Sequence, residues 1–232
     1  MKTAIMQPYF FPYIGYFQLI KAVDKFVVYD NIQYIKNGWI NRNRFLQNGK
    51  DNYFTLPLRK DSAYLDIKDR FISNDFDKKK LCNQIKAAYA KAPFYSSIFP
   101  IFEEIIYSPH ENLFEFVYAS LLNVCEYIGI KTEFIISSSV SIDHTLKSED
   151  KVLAICRALS TTEYINAIGG MELYSKECFA ENHIKLNFLK TQPIEYPQLN
   201  HHPFVPYLSI LDVLMFNSVA QTNDFLMRYE LI

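Results

Sequence analysis

The stretch from Asp30 to Arg44 carries Asp30, Gln33, Tyr34, Lys36, Trp39, Asn41, Arg42 and Arg44. A segment that mixes cations, amides, a carboxylate and an indole can fix one polar ligand from several directions at once. Lys36, Arg42 and Arg44 suit phosphate or carboxylate oxygens, Arg as a planar fork and Lys as a point charge. Trp39 offers a face for a ring or a sugar. The competing reading is a solvated loop around one buried Trp.

A second set opens the chain. Gln7-Pro8-Tyr9-Phe10-Phe11-Pro12-Tyr13-Ile14-Gly15-Tyr16-Phe17-Gln18 runs from an apolar segment into helical spacing. A helix start placed beyond a strand end offers unpaired N–H groups and partial positive charge to an anion. There Gly15 permits close approach, and Gln7, Tyr13, Tyr16 and Gln18 supply hydrogen bonds; the plainer alternative is an aromatic helix packed on a sheet with Gly15 as a gap. Three weaker sets follow. Ser137-Ser138-Ser139, with Lys147 and Lys151 nearby, is either a phosphate cradle centred on Ser138 or a turn. Gly169-Gly170 between strand and helix lets a ligand or a second backbone lie close, with Asn166, Glu172 and Tyr174 beside it. In the tail, Tyr196-Pro197-Gln198, His201 and Asp212 cluster; Ser209 and Asp212 share a helix face and suit capping, and of the tandem His201 and His202 only one can point into a site.

The elements that position these residues follow from hydrophobic spacing. Strands are expected at 3–7, 25–29, 54–58, 65–72, 132–136, 163–166 and 185–189, and helices at 13–22, 78–91, 95–107, 112–128, 148–159, 174–181, 208–216 and 220–229. Gly129 reads as a helix stop, and Ser148 with Glu149 and Asp150 as a helix start. Strands alternating with helices on both sides of a long helical stretch predict an α/β fold: a mostly parallel Rossmann-like sheet flanked by helices. The expected organisation is one domain, 1–232, with 75–128 as a helical insertion or layer.

Composition removes several function classes. Half the residues are hydrophobic, so the chain has material for a core and is not disordered. The 24 basic and 25 acidic side chains lack the excess that a nucleic-acid binder carries, which leaves a small molecule as the expected partner and no nucleic acid. The four cysteines form no C-x-x-C pair, so no metal site is expected. No apolar run reaches the roughly 20 residues of a membrane span, and no cleavage site follows Met1-Lys2. A reduced, cytoplasmic, soluble protein is the expectation. There is no G-x-S-x-G, no P-loop and no G-x-G-x-x-G.

With these residues in view, residues 6–16, Gly38-Trp39-Ile40-Asn41-Arg42, Gly169-Gly170 and the tail from Tyr196-Pro197-Gln198 to Asp212 closely resemble the WbqC-like family over nearly the whole chain. Members are often found among bacterial genes for surface polysaccharide and modified sugars, which implies a sugar-related role. More distantly, Tyr13-Ile14-Gly15-Tyr16 is similar to the H-x-G-H element of nucleotidyltransferase-like enzymes, with both histidines replaced by tyrosine. A tyrosine donates a hydrogen bond but is no cation near pH 7, so the charge stabilisation of imidazolium is lost. The two resemblances imply an enzyme, a transferase or ligase, joining a small acid or amino acid to a nucleotide-linked amino sugar, with ATP and Mg²⁺ as cofactors if the carboxylate is activated. On that reading Tyr13, Gly15 and Tyr16 hold phosphates, Lys36 and Arg42 clamp anionic oxygens, and His201 or Asp212 takes the amine proton. The alternatives are a non-catalytic sugar-nucleotide binding protein and an ATP-independent acyltransferase.

Overall fold

A computed structural model describes residues 1–199 and 203–232. Its centre is a six-stranded sheet in the order β5-β2-β1-β6-β7-β8, comprising β1 (Lys2–Met6), β2 (Lys25–Val28), β5 (Glu133–Ile136), β6 (Glu163–Ala167), β7 (Lys185–Thr191) and β8 (Tyr229–Leu231). All neighbours are parallel except the antiparallel pair β7 and β8. The strands are apolar on both faces, as a sheet covered on both sides requires. Ala4, Phe26 and Val28 pack against α1 (Ile14–Lys21), the helices α2 (Lys78–Tyr89), α3 (Tyr95–Ile106) and α4 (Leu113–Ile128), and α7 (Ile210–Phe216) with α8 (Val219–Phe225). Ile5, Val27 and Leu186 face the other way, onto α5 (Ser148–Ala158) and α6 (Lys176–Glu181).

The chain builds outward from β1 to β2 and β5, then returns to place β6 on the other flank of β1. Strand order reverses there, and the crevice beyond the carboxyl ends of strands at such a reversal is the general ligand position in open α/β sheets.

Several local expectations are corrected. The polar stretch 30–44 is not one loop: from Arg42 it becomes β3 (Arg42–Gln47), which pairs antiparallel with β4 (Lys50–Thr55). Asn48 and Gly49 turn the hairpin with φ of 52° and 75°, the left-handed pair that an Asn-Gly turn supplies. That turn, and not the apolar run at 54–58, sets the strand. The segment 65–72 is no regular strand either; it forms a 3-10 turn at Ile67–Asp69 and isolated bridges Gln33↔Asp66 and Leu58↔Ile72. Of its alternating apolar residues Ile67 is fully enclosed while Phe71 is exposed, and no continuous ladder forms. Pro100, which reads from the sequence as a helix separator, lies inside α3. Tyr174 precedes α6, whose cap is Ser175. Ser148 begins α5 without a capping side chain, although Glu149 and Asp150 fill the first turn. The last helix stops at Phe225, and the chain then adds β8 to the sheet edge. Gly129 ends α4 in the left-handed conformation, φ 77°, as expected.

Candidate functional site

The opening turn leaves β1 at Met6 and is held between two other elements. On one side Ser209 Oγ donates to the Phe11 carbonyl at 2.7 Å, and the Ile210 N–H donates to that of Pro12 at 2.8 Å, so the start of α7 clamps the turn. On the other side the Phe10 N–H donates to the Trp39 carbonyl at 3.0 Å, and Asn43 Nδ2 to the Phe10 carbonyl at 3.1 Å. Phe10 and Phe11 are buried, and Phe11 keeps an uncommon left-handed φ of 43° within these restraints. Tyr13 stands at the N-cap place of α1, and its ring lies over Gly15 together with Thr191 Oγ1 from the end of β7.

This arrangement opens a cleft of about 230 Å³ lined by Tyr9, Pro12, Tyr13, Trp39, Asn43, Arg44 and Tyr207. A second recess of about 230 Å³ lies across the Tyr13–Tyr207 pair, beside Thr191 and Tyr196. The two rings meet edge-on, with centroids 6.3 Å apart. Burial pushes the Tyr9 and Tyr13 phenols above their ordinary values, so near neutrality both remain neutral hydrogen-bond donors. Trp39 stacks on Tyr53 at 6.3 Å and 21°. The Arg44 guanidinium lies 5.7 Å from the Trp39 ring and that of Arg42 4.6 Å from Tyr53, giving a cation–π ladder along one face of the hairpin. Alternation in β3 produces it: Asn43 and Phe45 point into the core, so Arg42 and Arg44 share the outer face.

Arg42 does not face the tyrosine cleft. It lines a cavity of about 950 Å³ together with Gln33, Tyr34, Lys36, Asn41, Arg59, Lys60 and Arg70. Arg42 Nε donates to the Gly38 carbonyl at 3.2 Å and its Nη2 to that of Asn37, which braces the loop before β3. Tyr34 and Asn41 form the back wall, Tyr34 Oη donating to Asn41 Oδ1 at 2.8 Å and Asn41 Nδ2 to the Leu56 carbonyl at 2.8 Å.

At the carboxyl ends of β2 and β5, Asp30 is buried and saturated. It accepts from Ser137 Oγ at 2.7 Å, from the Ser138 N–H at 2.9 Å and from Ser138 Oγ at 2.6 Å. The serine hydroxyls therefore cradle an internal carboxylate. Beside them the nearly buried Lys151 donates to the Asn31 carbonyl at 3.1 Å, 5.1 Å from the Tyr29 ring centre, and burial lowers its pKa. Beyond β6 the Asn166 amide lies against Gly170, where any side chain would collide with it, so that glycine serves internal packing. Tyr174 lies edge-on to Tyr164, and Gly169 is open.

Several further expected site residues lie in the interior. Tyr16 is buried and its hydroxyl donates to the Gln7 carbonyl at 2.8 Å, so it holds the turn and no phosphate. Gly15 is covered by Tyr13 and Thr191, which leaves no room there for a phosphate cradle. Gln18 donates to the Phe225 and Arg228 carbonyls at 2.8 and 3.0 Å. Asp212 is fully buried and accepts from Tyr89, Tyr196 and Gln198, so it takes no amine proton from a ligand; it positions what surrounds it. Gln198 also bonds both backbone groups of Val205. His201 lies outside the described residues.

Tyr13 and Trp39 are thus brought to one cleft, and Gln33, Tyr34, Lys36, Asn41 and Arg42 to an adjoining cavity. Asp30 and Ser138 form a third group and Asn166, Gly170 and Tyr174 a fourth. Sequence reasoning missed Tyr53, Arg59, Lys60, Arg70 and Tyr207; the Asn48-Gly49 turn, once used to set the hairpin register, would have placed Tyr53 opposite Arg44.

The sequence profile of the WbqC-like protein family matches residues 7–224, which takes in the opening turn, the hairpin and α7. The chain belongs to the WbqC-like protein family. This WbqC-like chain is also 30% identical, over 235 aligned positions covering 98% of each protein, to the uncharacterised protein Rv1507c of Mycobacterium tuberculosis. No solved structure matches it. Among the described residues, no helix is long and apolar enough to cross a membrane, and no group of three or more His, Cys, Asp or Glu side chains is placed to hold a metal ion.

Proposed function

We propose that this WbqC-like protein is an enzyme of bacterial surface-polysaccharide synthesis that joins a small acid or amino acid to the amine of a nucleotide-linked amino sugar. The observation that carries this reading is the tie between Phe10 and Trp39, which sets the opening turn and the Trp39 loop around one cleft. In that cleft aromatic faces suit a sugar ring, while the Tyr9 and Tyr13 hydroxyls suit its polar groups. The family resemblance supports the sugar chemistry. Amide formation joins the acyl carbon to the sugar nitrogen and breaks that carbon's bond to its activating group, which leaves as a thiol from a thioester donor, or as AMP or phosphate where the acid is activated by ATP; the amine gives up a proton, and His201 is the acceptor to test.

The residues expected to cradle ATP phosphates do not fit that role, since Gly15 is covered and Tyr16 is committed to Gln7. No step is therefore routed through ATP or Mg²⁺, and the nucleotide becomes an arm of the test. A second reading, a non-catalytic sugar-nucleotide binding protein, is favoured by one feature: the described lining of the cleft holds phenols, an amide and Arg44, with no carboxylate or imidazole.

The test incubates the protein with a nucleotide-linked amino sugar and glycine, with ATP·Mg²⁺ or with a glycyl thioester, and follows amide product by mass together with AMP or ADP release. Product in either arm, lost in His201→Ala, supports the enzyme. Product from the thioester alone identifies the ATP-independent acyltransferase. Binding without product in any arm selects the binding protein.

A further inference from the structure

The larger cavity collects charge that the chain as a whole lacks. Lys36, Arg42, Arg59, Lys60 and Arg70 line it against a single carboxylate, Asp61, in a protein whose formal net charge is −1. Among the described residues only Arg59 of these five has a carboxylate within ion-pair reach, the exposed Glu111 at 2.9 Å. Solvated lysines at a rim are ordinary; Arg70 is not. It is 8% exposed, its guanidinium lies 4.6 Å from the Tyr34 ring centre, and its Nη1 donates to the Ser62 carbonyl at 2.8 Å. Its Nε is buried without a partner. A nearly buried cation without a counter-charge is costly, and an anion bound in the cavity supplies one.

The shape narrows the anion. A recess of about 950 Å³ is at the upper end of small-ligand pockets and exceeds what a single phosphate fills. Its apolar part, Ile32, Pro57 and Leu58, can take a base or ribose face, while cations enter from two segments, Lys36 and Arg42 from one and Arg59, Lys60 and Arg70 from the other. Cations supplied by two separate segments suit two adjacent phosphates. Arg70 is buried within this recess and out of reach of a flat run of nucleic-acid phosphates.

We propose that this cavity binds the nucleoside diphosphate portion of the ligand, with Arg70 at its floor and Lys36, Arg42, Arg59 and Lys60 around the phosphates. The inference deepens the sugar-nucleotide reading and rests on it for the sugar, which would extend past Arg42 along the ladder toward Trp39.

The test is calorimetric titration with inorganic pyrophosphate, uridine diphosphate and a single-stranded oligonucleotide, on the wild-type protein and on Lys36→Glu/Lys60→Glu. Both lysines are exposed, so the double variant should melt with the wild type. Arg70→Gln serves as a second variant, its folding checked by circular dichroism. The expected result is diphosphate binding that weakens about tenfold or more in the double variant and in folded Arg70→Gln, and weakens as salt rises. Uridine diphosphate should bind more tightly than pyrophosphate. Absent diphosphate binding, unchanged binding in the double variant, equal affinity for the two diphosphates, or tighter binding of the oligonucleotide would overturn the assignment. Diphosphate binding without turnover keeps this site and removes the enzyme reading; turnover untouched by the double variant does the reverse.

Discussion

The Phe10 N–H donates to the Trp39 carbonyl at 3.0 Å, so the loop that carries the indole is fixed through its backbone while the side chain stays 37% exposed on the cleft. Trp39 is the only tryptophan in the chain, which makes its emission a reporter of that cleft. Saturation with a nucleotide-linked amino sugar should shift or quench the fluorescence. Trp39→Ala should weaken binding by about tenfold while costing no more than about 1 kcal/mol of stability, because the ring is half-exposed and the backbone tie survives. A titration that leaves emission flat at saturation would remove Trp39 from the site.

Gly15 has a different kind of constraint. A Cβ there would lie 2.6 Å from Thr191 Oγ1 and collide with the Tyr13 ring. Alanine gains about 1 kcal/mol of helix propensity over glycine, whereas overpacking costs about 1–3 kcal/mol. Overpacking should win, lowering the melting temperature by a few degrees, and the displaced Tyr13 ring should enter the cleft and impair ligand binding. Gly15→Ala with wild-type melting and wild-type affinity would show that the Tyr13 ring has other room.

The parallel sheet was legible because its strands are short apolar runs separated by helices of clear period, and α4 even announced its end through Gly129. The hairpin was not. Arg42, Asn43 and Arg44 read as loop chemistry because strand alternation is hidden when the outward positions are charged, and the Asn48-Gly49 signal carries no apolar pattern of its own. Segment 65–72 failed in the opposite way: its apolar alternation was real, but alternation does not supply a partner strand. At the site, residue type brought Tyr13 and Trp39 forward in two separate sets, and the structure places both on one cleft. Spacing could not show that Tyr16 and Gln18, on the same short helix, turn inward, because every residue from Ile14 to Ile20 is buried and the helix has no polar face to read. Arg59 and Arg70 come from a segment without regular structure, where no periodicity links them to Lys36.

Arg42 lines the larger cavity, stacked on Tyr53 at 4.6 Å and braced to the carbonyls of Asn37 and Gly38. Arg42→Ala removes a cavity cation and loosens that loop, so diphosphate affinity should fall about tenfold with little change in melting. Arg42→Lys keeps the charge but cannot serve both carbonyls as a fork. It should recover only part of the affinity in the same calorimetric titration. Full recovery by lysine would mean that charge alone matters and the bracing does not.

Asp212 couples the tail to the hairpin. Its Oδ1 accepts from Tyr89, whose hydroxyl in turn accepts the Leu46 N–H of β3 at 3.1 Å, and its Oδ2 accepts from Tyr196 at 2.6 Å and Gln198 at 2.8 Å. Asp212→Ala strands three buried donors and should cost about 3–5 kcal/mol. The pH dependence follows from burial, which raises the Asp212 pKa above the ordinary 3.8 against the opposing pull of its three donors. Between that ordinary value and the raised native one, the folded protein holds a proton that the unfolded chain has released. The Asp212 contribution to stability is therefore greatest at the acid end of this window and declines as pH rises through the native pKa. Asn at this position does not titrate. Subtracting the melting curve of Asp212→Asn from that of the wild type cancels the other carboxylates, and the difference should move in favour of the wild type as pH falls from 7 toward 4. A difference that stays constant, or that favours Asp212→Asn increasingly at low pH, would mean that the three donors outweigh burial and that the native carboxylate titrates below its unfolded value.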